Sequence, residues 1–241
     1  MKKVASILIM ALAAFAPAFA SDFLDTGVPD KAISFGVRFG LNSTGQSTSL
    51  KGYSDNVSHN RGTGFIIGGV VDLNIRQFFS VQPGFFFENR SYDYTVVRYD
   101  QAQQSLQNDL GHTRSNSFTL PVLASFKFQL SHTVRWNVDI GPYFGFGLGG
   151  SDDREIIGLK VASNPSEVSK YEHFVVDGDY YGNGQWRHRK FDWGVKIGTG
   201  LRLSDHYVFN VYYMGGLKNV SDYGAWSMKS RSWNFSIGYD F

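Results

Sequence analysis

Four histidines are the residues best suited to chemistry. His59, His112, His173 and His188 each stand among serines and aspartates, the company a hydrolase or acyltransferase needs if an imidazole is to activate a hydroxyl or a water. Ser and Asp are so frequent in those segments that such neighbours follow from composition alone, and the chain is expected not to be an enzyme. Asp177-Gly-Asp-Tyr-Tyr-Gly-Asn-Gly184 opens with two acids at the spacing of a calcium loop. Tyr181 then occupies the place of a third oxygen ligand and the distal glutamate is missing, so a turn is expected there and no metal. With no zinc spacing, phosphate-cradling glycine loop or nucleic-acid motif, neither a cofactor nor a nucleic-acid partner is expected.

A second set of charges has a regular placement. Arg38, Glu88, Arg90, Lys127, Arg135, Lys196 and Arg202, with Asp72, Asp139, Asp192 and Asp240, alternate with large apolar residues along their segments. The set is nearly balanced in sign. Enclosed in a low-dielectric interior, such charges are costly unless they pair, so they predict a salt-bridge network filling a polar lumen. A narrow ion path along the same charges is the competing expectation.

The elements that would position them are strands. Trp233-Asn-Phe-Ser-Ile-Gly-Tyr-Asp-Phe241 alternates aromatic or aliphatic with small or polar residues, so Trp233, Phe235, Ile237, Tyr239 and Phe241 share one face and suit lipid while the other face suits a lumen. This strand also fits the signal read by the barrel assembly machinery. Seven further segments alternate in the same way: Ile33 to Asn42, Gly64 to Ile75, Phe78 to Val97, Leu120 to Leu130, Val134 to Phe146, Phe191 to Leu203 and Tyr207 to Asn219. Short connections at Arg76-Gln77, Ser131 to Thr133 and Ser204 to His206 alternate with long ones at 43–63, 98–117, 149–190 and 220–230. That alternation predicts an all-β fold, an eight-stranded antiparallel up-and-down transmembrane barrel with short periplasmic turns and long extracellular loops.

Composition agrees: 27 glycines and 21 phenylalanines against six prolines, with no cysteine. Lys2 and Lys3, the apolar run to Phe15 and Ala18-Phe19-Ala20 predict a cleaved signal peptide over residues 1–20, leaving residues 21–241 as one barrel domain in the outer membrane of a Gram-negative bacterium. Lys2 and Lys3 also account for the small basic excess of the chain, so no polyanion partner is inferred. Tyr143, Trp193, Tyr207, Tyr212, Tyr213, Trp226, Trp233 and Tyr239 are expected in aromatic girdles at the lipid interfaces. Tyr171, Phe174, Tyr180, Tyr181 and Trp186 fall in the longest loop, away from lipid, and are candidate contacts for an extracellular or outer-membrane partner.

Ser34-Phe-Gly-Val-Arg-Phe-Gly-Leu-Asn42, Leu120-Pro-Val-Leu-Ala-Ser-Phe-Lys127, Ile140-Gly-Pro-Tyr-Phe-Gly145, Phe191-Asp-Trp-Gly-Val-Lys-Ile-Gly-Thr-Gly200 and Gly215-Gly-Leu-Lys-Asn219 resemble strands of the PorT-like "porin family", small outer-membrane barrels of Bacteroidota-type bacteria. The resemblance covers nearly the whole mature chain. It implies a barrel without a shared catalytic motif, in a family some of whose members are linked to protein secretion across the outer membrane. The insertion from Gly149 to Lys190 departs from the shorter members.

An eight-stranded lumen is only wide enough for its own side chains. The expected protein is therefore a plugged, non-enzymatic anchor that acts through its extracellular loops, with a narrow solute channel as the alternative and a lipid-modifying enzyme behind both.

Overall fold

Alternation at period two, with one face apolar and the other mixed, dictates strands whose faces part between lipid and lumen. The structure, a computed structural model, describes residues 23–50, 56–100, 105–160, 170–182, 187–221 and 226–241. The predicted signal peptide lies outside these residues, as does Trp186. Nine strands follow in order: β1 (Ile33–Leu50), β2 (Asn56–Arg76), β3 (Phe79–Asp100), β4 (Ser105–Ser131), β5 (Val134–Lys160), β6 (Lys170–Asp179), β7 (Phe191–Leu203), β8 (Tyr207–Gly216) and β9 (Trp226–Asp240). All strand pairings are antiparallel. Eight strands close a ring, β1-β2-β3-β4-β5-β7-β8-β9 and back to β1. β6 stands outside that ring, paired to the upper part of β5 as a hairpin flange.

Exposure follows parity along the walls. Phe35, Val37, Phe39 and Leu41 are each more than half exposed while Arg38 and Asn42 are buried, and Trp233, Phe235, Ile237 and Tyr239 on β9, with Phe241 just past its end, are exposed against buried Asn234 and Asp240. The outward apolar band runs from Ile33, Ile75 and Leu130 at one end to Leu41, Phe65, Phe146 and Trp233 at the other.

Five strands run well beyond the segments that alternate in sequence. β1 continues to Leu50 and β5 to Lys160, while β2 begins at Asn56, β4 at Ser105 and β9 at Trp226, so much of the expected loops at 43–63, 98–117 and 149–190, and part of that at 220–230, is wall. Above the lipid band the outward face no longer has to be apolar, and Asn89, Ser91, Asp93, His112, Arg114 and Asn116 occupy it. Backbone pairing persists there because each N–H and C=O still gains a partner.

Candidate functional site

Lumen-facing parity brings the predicted charges into contact at the turn-proximal end of the barrel. Arg38 on β1 lies 2.6 Å from Asp240 on β9, Arg202 on β7 reaches Asp240 at 2.7 Å and Asp72 at 2.9 Å, and Lys127 on β4 completes the chain 3.3 Å from Asp72. Ser80 and Gln82 also donate to the Asp72 carboxylate, at 2.9 and 3.1 Å. Six strands are thereby cross-linked through one buried net, whose two carboxylates serve three cations. Arg135 lies beside the net rather than in it, donating to Gln129 and facing Asp205 of the following turn at 3.4 Å.

Midway up, the lumen turns apolar. Ile66, Val70, Phe86 and Leu123 are buried and form a septum across the polar interior. Lys196, 2 % exposed, ends there with its Nζ 4.4 Å from the Tyr212 ring and 4.9 Å from the Phe86 ring, a cation held by ring faces rather than by a carboxylate contact. Asp139 accepts from the Tyr212 hydroxyl at 2.7 Å and from Asn137 at 2.6 Å. Above the septum Arg90 meets Glu88 at 2.6 Å, and Tyr143 donates to Asp192 at 3.2 Å.

Tyr143 and Tyr212 therefore correct the girdle assignment. They are 1 % and 6 % exposed and face inward, whereas Trp193, Tyr207, Trp233 and Tyr239 stay on the outer face. Parity carried the signal, since Tyr143 falls between Gly141 and Gly145 on the face opposite Ile140 and Phe144. The same parity places Ile66, Val70 and Phe86 inside, an apolar barrier with no charge to mark it in the sequence.

The upper mouth is closed by the segment after β6. Tyr180 is buried, its ring stacked 4.1 Å from that of His188 and edge-on to Tyr181 at 4.7 Å. His188 Nε2 contacts Gln46 at 2.9 Å and the Tyr92 hydroxyl at 3.3 Å, and Tyr181 lies over Gly147, whose missing side chain makes room for its ring. Of the loop aromatics, Tyr180 and Tyr181 thus serve as a lid, while Tyr171 (66 % exposed) and Phe174 (54 %) stand in the open on β6.

Burial, aided by His59 nearby, holds the His188 imidazole down to about 3, against an opposing hydrogen bond with the Tyr180 backbone. The group is neutral when docked. Below pH ~6.5 a released imidazole takes a proton that the docked one refuses, so docking weakens by about 1.4 kcal/mol per pH unit until pH ~3, where the docked ring protonates too. Hydrogen exchange at 180–182 and 187–190, corrected for its intrinsic pH dependence, is expected to quicken up to about tenfold per unit below pH ~6.5. His188→Gln abolishes that dependence; a flat wild-type profile would contradict a neutral docked imidazole.

The other three histidines of that set have different partners. His112 pairs with Asp93 and accepts from Arg114 on its second nitrogen, His173 contacts Glu155 at 2.7 Å, and His59 contacts Thr48 at 2.6 Å. The segment from Asp177 begins as the end of β6 rather than as a loop, and among the described residues no three His, Asp or Glu side chains converge as a metal site requires.

Internal cavities among the described residues measure about 30, 10 and 10 Å³, room for a water or two each. A much larger concavity, about 710 Å³, lies on the lipid face between Phe39, Leu201, Phe209 and Phe235.

A profile of the family described as outer membrane protein beta-barrel domain matches residues 19–222. No curated protein sequence matches the chain. Among solved structures, the outer membrane protein OprG from Pseudomonas aeruginosa is similar at 14 % identity and a TM-score of 0.43, over 90 % of this chain and 99 % of that one. The attachment invasion locus protein Ail of Yersinia pestis, solved with the heparin analogue sucrose octasulfate, is similar at 12 % identity and a TM-score of 0.34, over 88 % and 100 %. Neisserial surface protein A aligns at 11 % identity and a TM-score of 0.35, over 88 % and 100 %.

Proposed function

The chain belongs to the outer membrane protein beta-barrel domain family, and on that premise we propose that it is a non-enzymatic surface protein, exported by cleavage after Ala20 and of the PorT-like branch. Its barrel anchors. Its strands and loops above the lipid band bind an extracellular partner or seat the protein as an accessory of an outer-membrane complex. The observation that carries this reading is the filled lumen. A charge net, an apolar septum and an aromatic lid succeed one another along the axis, and the internal cavities between them among the described residues measure about 30, 10 and 10 Å³, far below the ~300–1,000 Å³ of a small-molecule site.

Lys196 favours a second reading. A buried cation with no ion pair among the described residues, set at the apolar stretch of the lumen, is what a solute path selective for anions would place there. Planar-bilayer recording on the purified full-length protein separates the two. The anchor reading expects no discrete conductance. Steps that change when Lys196→Met or Arg135→Ala is introduced would overturn it in favour of a channel.

A further inference from the structure

β6 has a single neighbour. It pairs with β5 from Lys160↔Lys170 to Ser151↔Asp179, and among the described residues no strand pairs with its other edge. Every residue from Tyr171 to Asp177 is exposed, so one row of backbone N–H and C=O groups is open to water. Proline and bulges are the usual protection of such an edge. The β6 sequence contains no proline and its register is unbroken.

The outer face beside this edge is apolar where lipid cannot reach it. Register aligns Tyr99, Leu106, Leu159 and Tyr171 across β3, β4, β5 and β6, each 39–66 % exposed, with Val175 nearby at 68 %. From Phe118, at the top of the lipid band on β4, to Leu106 is about 40 Å along the strand at ~3.3 Å per residue, or roughly 30 Å of height at a tilt of ~35–45°. A contiguous exposed apolar row at that height marks a protein contact rather than a lipid one.

Beneath it, Asp153 and Asp177 stand directly opposite each other on β5 and β6. Neither carries an ion pair among the described residues. Like charges in directly opposed positions destabilise a sheet, and a cation delivered alongside relieves the repulsion.

We propose that the free edge of β6 receives an extended segment of another polypeptide as an added strand, apolar at alternate positions and bearing a lysine or arginine against Asp177. The proposal rests on the surface-recognition reading above and names its mode. A second copy of this chain fits poorly. Two copies in one membrane are related by an axis along the membrane normal, which sets Asp177 beside its own equivalent.

The test uses full-length protein in lipid nanodiscs with a chelator present. The probe is a fluorescent ten-residue peptide that alternates valine or tyrosine with threonine and carries a lysine at each end. Saturable binding is expected to vanish when the peptide is N-methylated along one edge, and to weaken about fivefold to tenfold in Asp177→Lys and Val175→Lys, both exposed positions whose folding is checked by heat-modifiable migration. Binding that survives N-methylation, or that both variants retain, overturns the proposal, as does no binding to the wild type.

The chain has no cysteine, so Val175→Cys reports self-association. Disulfide-linked homodimers in native membranes would put a second copy on the edge and overturn the heterotypic occupant. In intact outer membranes, a cross-linked partner that requires residues 149–190 but ignores Asp177→Lys and Val175→Lys overturns the edge proposal alone. Absence of any cross-link that requires 149–190 overturns the surface reading and the edge proposal together.

Discussion

Replacing Asp72 with alanine is expected to lower the stability of the folded barrel by about 3–5 kcal/mol, the cost of leaving buried cations without their counter-charge. Asp72 is 2 % exposed and serves Lys127 and Arg202 together, with Ser80 and Gln82 completing its shell. After the substitution Arg202 keeps Asp240, but Asp240 already holds Arg38, and Lys127 keeps only the amide oxygen of Asn74 at 2.7 Å. Urea unfolding from lipid vesicles, read by heat-modifiable migration, measures the loss. Asp205→Asn is the matched control, because it keeps a side chain that tolerates the left-handed backbone at that position (φ 62°) and removes only a solvent-exposed contact with Arg135, worth at most about 1 kcal/mol. Equal losses at the two positions would mean that the net contributes no more than a surface pair.

Gly40→Val is expected to be comparably severe, about 3 kcal/mol or more, through overpacking. Gly40 lies where β1 meets both neighbours, opposite Ile66 on β2 and Ser236 on β9. A Cβ there would fall on the carbonyl oxygen of Phe235, with Ser236 Cα 2.7 Å away. Backbone atoms cannot rotate aside, so β1 and β9 would have to separate at the seam. Gly149 supplies the contrast, since nothing lies within 4 Å of a Cβ built on it, and Gly149→Val is expected within about 0.5 kcal/mol of wild type. The fraction of refolded protein that migrates as the compact form reads both, and similar yields for the two variants would refute the close-approach argument.

The part of the fold in lipid is legible in the sequence because the bilayer enforces a rule on every second residue. Phe35, Val37, Phe39 and Leu41 obey it, and so do the β9 positions from Trp233 to Tyr239. Where the walls leave lipid, the rule lapses. Nothing in Asn108, Leu110, His112 and Arg114 marks a strand face, although β4 is continuous through them. β6 lies wholly inside the segment 149–190 that reads as a loop, because no lipid imposes alternation on it.

Inside the barrel, sequence parity identifies who faces the lumen but not who meets whom. The stagger between strands decides that Asp72 finds Lys127 and Arg202 while Lys196 finds two rings. Tyr180 and Tyr181 look like free loop aromatics until their placement over Gly147 and beside His188 is seen, since adjacency across the mouth leaves no local pattern.

The seam between β1 and β9 has a consequence for how the molecule comes into being. It runs from Gly36↔Asp240 to Leu50↔Trp226 and joins the two ends of the barrel's sequence, the most non-local pairing in the fold. Until β9 arrives, β1 and β8 each present an open margin, so no shorter nascent chain is free of sticky borders. Contacts of such long sequence separation make for slow assembly and prolonged risk of aggregation. Closing that seam converts a ribbon with two adhesive margins into a cylinder with none along the lipid band.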